Sequence, residues 1–197
     1  MKRLANEIGR LTENIEVLSN CPWIGSNLKE QYDLRCIARD AAALDRELDE
    51  SLAVFLRSSQ IKRVVKEDLG KAARRACAFV TKGASRGQDD RAGKFARMLA
   101  RSDGAAAFGG YAPELLEMLD AIDGDRAAIE TLRLAKALKS WLAMESAATR
   151  ARGRYTHLLS CAGSLSGTLR AINADIGRRL TEAASVATAE WMARKAA

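Results

Sequence analysis

The chain has 197 residues, a formal net charge of +7, four cysteines, one histidine and two prolines. That length supports one domain with a real core, and the dominance of Ala, Leu, Arg and Glu over aromatic residues favours helices over a sheet. Cys21, Cys36, Cys77 and Cys161 lie 15, 41 and 84 residues apart, which excludes the usual zinc spacings and a disulfide framework, so a reducing cytosol is expected.

In chain order, Leu4, Ile8, Leu11, Ile15 and Leu18 alternate spacings of 4 and 3, the stripe of a helix that packs on another helix. Asn6, Glu7 and Arg10 interrupt the apolar run that a secretory leader needs. Cys21 to Gly25 ends this helix, and Ser26 or Asn27 is placed to cap the next. The second helix carries Leu34, Ile37, Ala41, Leu44, Leu48 and Phe55 and is expected to stop near Ser58. Residues 1–58 thus read as an antiparallel hairpin.

A basic segment follows at 59–104. Residues 61 to 104 hold twelve Lys and Arg against five acids, a balance of 12 − 5 = +7, so the other 153 residues are neutral. In its first helix Ile61, Val65, Leu69, Ala72, Ala76, Phe79 and Val80 share one side, and Arg63, Lys66, Lys71, Arg74 and Arg75 spread over the other. A loop at 83–88 brings Lys82 and Arg86. A short helix then buries Ala92, Phe95 and Leu99 and turns Lys94, Arg97 and Arg101 outward.

Glycines 104, 109 and 110 mark a connection, and Pro113 suits the first turn of a helix bearing Leu115, Leu116, Met118, Leu119 and Ile122. From Asp125 the next helix is expected to turn Ile129, Leu132, Leu138, Trp141 and Leu142 inward and to break or kink at Gly153. The last helix spans 155–194, with Leu158, Ala162, Leu165, Leu169, Ile172 and Ile176 in strict 4, 3 spacing, continued by Leu180, Ala184, Ala187 and Trp191. Gly163, Gly167, Ala171 and Ala174 form a small-residue seam that reads as tight core packing. The longest uncharged run, Tyr155 to Leu169, is too short for the roughly 20 apolar residues a bilayer demands, so no membrane partner is expected. The whole reads as an all-α, elongated bundle of about six helices with a long C-terminal helix.

A charge confined to one segment points to an anionic partner. Lys and Arg bind phosphates through counterion release without needing a motif. The ten residues assigned to a nucleic-acid backbone are Arg63, Lys66, Lys71, Arg74, Arg75, Lys82, Arg86, Lys94, Arg97 and Arg101. Phe79 and Phe95 both face inward, so no aromatic platform for stacking bases is present. Basic helical subunits of ribonucleoprotein assemblies, such as those of CRISPR effectors, share this general character. The alternative is an adaptor whose basic face meets an acidic protein and whose last helix pairs as a coiled coil with a partner or a second copy, Trp191 being the candidate anchor.

His157 adds a different possibility. Arg152 precedes it by five residues and Arg150 by seven, giving Arg-x4-His and Arg-x6-His spacings. This resembles the signature of HEPN ribonucleases. The resemblance implies an all-helical, dimeric enzyme in which Arg152 and His157, near a helix start, cut RNA using its 2′-hydroxyl. An imidazole that titrates near neutral pH moves the proton and a guanidinium holds the phosphate. Asp45, Glu47, Asp49 and Glu50 are crowded on one helix with Arg46 among them, a solvated face in place of a metal cluster. Neither a metal nor a cofactor is expected. Cys77, although beside Arg74 and Arg75, reads as inert.

Overall fold

The computed structural model describes residues 2–20, 28–83, 113–120 and 125–196. All of these are helical: α1 (Lys2–Asn20), α2 (Leu28–Gly83), α3 (113–120) and α4 (Asp125–Ala196). The architecture is all-α with a long C-terminal helix, but with four described helices where the sequence suggests about six.

Two expected boundaries disappear. α2 continues through 58–59 as a single helix of 56 residues, because neither Ser58 nor Ser59 removes a backbone donor. The Ser59 hydroxyl donates to the carbonyl of Phe55 at 2.9 Å and so is satisfied inside the helix. α4 runs for 72 residues straight through Gly153. An isolated helical glycine costs only about 1 kcal/mol relative to alanine, and buried Ala148 and Leu158 on either side hold the helix in place. The short helix with Ala92, Phe95 and Leu99, the turn at 21–27 and the glycine-rich connection at 104–112 lie outside the described residues.

The chain divides into two compact units, one of Met1–Ala53 with Gly153–Ala197 and the other of Val54–Arg152. In the terminal unit α1 and the first half of α2 pack on α4. Leu4, Leu11, Ile15, Leu18, Leu34, Ala41, Leu48, Leu158, Ala162, Leu169 and Ile176 form one buried cluster. Each fully buried leucine or isoleucine in it contributes about 1.5–3 kcal/mol by leaving water. Within this unit α1 and the first half of α2 lie together on α4. Arg179 forks onto both carboxylate oxygens of Glu30, and Arg154 donates to Glu47 at 2.7 Å, so α2 runs antiparallel to α4.

Register between α1 and α4 is fixed by a polar insertion. Glu7 is only 6% exposed. The Asn173 amide donates to the Glu7 carbonyl at 3.0 Å and to its carboxylate at 3.2 Å, while Asn14 donates to the Asn173 side-chain oxygen at 2.9 Å. Arg170 adds a charge-assisted bond at 3.4 Å. A slip of one turn would strand a buried carboxylate without donors, a cost larger than any single apolar contact in the seam.

The small-residue seam faces outward instead of into the core. Gly163, Gly167, Ala171 and Ala174 are exposed, and a Cβ built on Gly163 or Gly167 meets nothing within 4 Å. The apolar stripe of α4 likewise ends near Leu180. Ala184, Ala187 and Trp191 are exposed, Trp191 by 54%, with the Lys195 ammonium 4.2 Å from its ring centre.

In the central unit Leu69, Ala73, Ala76, Cys77 and Val80 of α2 meet Leu115, Met118 and Leu119 of α3 and Leu134 and Trp141 of α4. α4 buries Ala127, Leu134, Trp141 and Ala148, a strict repeat of seven, and this register leaves Ile129, Leu132 and Leu142 46%, 71% and 55% exposed, contrary to the sequence expectation. Ile61 is similarly 41% exposed. Its neighbour Lys62 turns to α4, where its ammonium pairs with Glu145 at 2.6 Å and lies 5.5 Å from the Trp141 ring centre.

Two consequences are measurable. Gly163→Ala and Gly167→Ala should each raise stability by about 0.5–1 kcal/mol in urea melts, because the added methyl meets open space and restricts the unfolded chain; a loss would restore the packed-seam reading. The donors on Glu7, Asn173 first and Arg170 after it, hold its carboxyl below its ordinary value of 4.5. The stabilisation it provides is present above that value and lost as pH falls through the lower folded one. Glu7→Gln should therefore flatten the acid limb of the thermal stability curve below about pH 5.5 and leave its slope above that unchanged.

Candidate nucleic-acid interface

On the side of the central unit where α2 and α4 come together, an open groove of about 430 Å³ is lined by Val65, Asp68, Lys71, Ala72 and Arg75 from α2 and by Arg133, Lys136, Ala137 and Ser140 from α4. Ala72 and Ala137 contribute small apolar surface to the lining, and the long cationic side chains contribute the charge. Four cations and one carboxylate surround the groove.

These cations are accessible. Lys71 pairs with Asp68 at 3.6 Å within its own helix, and Arg133 donates to Glu130 at 2.6 Å. Lys71 and Asp68 side chains are 62% and 63% exposed, and pairs of that kind contribute about 0–1 kcal/mol, which a phosphate can replace. Among the described residues Arg75 and Lys136 form no ion pair. Spacing explains the arrangement: Lys71 and Arg75, like Arg133 and Lys136, lie one helical turn apart and share a face.

Of the basic residues expected from sequence, Lys71 and Arg75 line the groove. Arg63 and Arg74 are exposed on the same helix, and Arg63 pairs with Glu67 at 3.7 Å. Lys66 is half-buried. Lys82 belongs to the last turn of α2 but its side chain lies outside the described residues, as do Arg86, Lys94, Arg97 and Arg101. Arg133 and Lys136 were missed because the neutral remainder of the sequence hides them: they sit among balancing acids in the chain and become part of a cationic surface only when α4 lies against α2.

Arg152 and His157 are both exposed and stand well inside α4, which begins at Asp125. That places neither near a helix start. Five residues on a helix correspond to about 140° around its axis, so the two side chains leave from different faces. His157 faces Cys161 instead, with Nε2 and Sγ 3.8 Å apart. It is exposed. Among the acids, Glu47 is engaged by Arg154, and no cluster of three potential metal donors occurs among the described residues. Cys77 is buried, and desolvation pushes its thiol up to about 11, which leaves it protonated at neutral pH.

No family model, curated protein or solved structure matches the chain. No helix among the described residues is long and apolar enough to cross a membrane.

Proposed function

We propose that this chain binds a nucleic-acid backbone through the basic face of its central unit, as a non-enzymatic helical subunit of a larger nucleoprotein assembly. The observation that carries the reading is the convergence of Lys71, Arg75, Arg133 and Lys136 from two helices on one open groove. A backbone needs cations at spaced positions along a channel, and two antiparallel helices provide two such rows. Phe79 is half-buried against the core, so among the described residues the groove's lining offers charge and no stacking surface. Recognition therefore rests on phosphates, with affinity that does not depend on base sequence.

Fluorescence anisotropy with duplex and single-stranded probes across a salt series tests this. Four neutralised phosphates give a log-log slope of about −4, and Arg75→Ala combined with Lys136→Ala should make it shallower by about two. Absence of binding to every probe at about 50 mM salt, where backbone contacts are strongest, would discard nucleic acid in favour of an acidic protein surface.

A further inference from the structure

We infer that His157 and Cys161 form a chelating site for a divalent metal of borderline softness, zinc being the natural occupant. The site belongs to the terminal unit and is independent of the groove.

The two residues stand one turn apart on α4, with the imidazole Nε2 and the thiol Sγ 3.8 Å from one another. A tetrahedral zinc holds a thiolate at about 2.3 Å and an imidazole nitrogen at about 2.0–2.1 Å, which at the tetrahedral angle separates the two donors by about 3.6 Å. The observed pair is within a few tenths of an ångström of that, in a rigid helix, so chelation needs only small side-chain adjustments. His157 is exposed and Cys161 half-buried, leaving the metal an approach from solvent. Of the cations nearest in sequence, Arg154 is engaged by Glu47 at 2.7 Å, and Arg150, two turns before His157 on the same face, donates to the Ser146 hydroxyl at 2.6 Å.

Binding replaces the thiol proton by the metal: the S–H bond breaks, the sulfur pair forms the metal bond, and one proton passes to solvent or buffer per ion bound. Neutral imidazole gives its Nε2 pair, with the remaining hydrogen on Nδ1. No third His, Cys, Asp or Glu completes a cluster with them among the described residues. Two protein donors therefore leave the other coordination positions to water.

Cobalt(II) titration of the reduced full-length protein is the test, because cobalt reports thiolate ligation by charge-transfer absorption in the near ultraviolet and tetrahedral geometry by visible bands. The expected result is a saturable rise of both, displaced by zinc, retained in Cys36→Ser and lost in both Cys161→Ser and His157→Ala. Both site variants should keep the wild-type melting temperature without metal, since neither side chain belongs to the apolar core, and the loss is then one of ligation. Saturation at one ion per chain, or at one per two chains with donors from a second copy, supports the site. Absence of the bands at millimolar cobalt, or bands that persist in either site variant, overturns it and leaves a thiol–imidazole hydrogen bond.

Discussion

Neither α2 nor α4 can bury its apolar stripe alone, and the antiparallel contact between them in each unit is the constraint on which the other features depend. In the central unit α4 buries Ala127, Leu134, Trp141 and Ala148 at intervals of seven, and Leu134 and Trp141 pack with Leu69, Ala73, Ala76 and Val80 of α2. Once that register is set, Ala72 and Ala137 must lie at the edge of the seam and Lys71, Arg75, Arg133 and Lys136 beside them. The groove is thus a by-product of core packing, and its charge comes from what the sequence places one step off the buried face.

In the terminal unit the same helices are joined by α1, and apolar contact is combined with polar specification. Leu11, Leu18, Leu48 and Leu169 would tolerate a shifted alignment, because one leucine replaces another at little cost. Glu7, Asn14 and Asn173 would not, since each satisfies a specific donor or acceptor of the others. Exposed ion pairs such as Arg178 with Asp175 add little to this. The division of labour is ordinary physical chemistry: burial supplies the free energy and the buried polar network selects one register.

Periodicity makes much of the fold readable from the sequence. The stripes of α1, of the first half of α2 and of α4 between Leu158 and Ile176 are where the sequence places them, because each repeats without a break. Helix ends were less legible. Ser58, Ser59 and Gly153 are weak stop signals, and packing on both sides overrides a local penalty near 1 kcal/mol. The inward face around Ile129 and Leu132 was misread because several apolar residues compete there, and only the partner helix decides among them. For the groove, the α2 half was visible as a charge excess and the α4 half was not. Cysteine spacing does not reveal His157 and Cys161 as a pair, because their donors come together through the helical turn.

The central claim is that α2 and α4 jointly present one anion-binding groove. Amide hydrogen exchange with and without a short duplex measures this directly, since it reports which backbone segments are protected on binding. The account predicts added protection at 68–75 and at 133–140 together, with the terminal unit unchanged. Protection confined to one of those segments, or found only in the terminal unit, would contradict it.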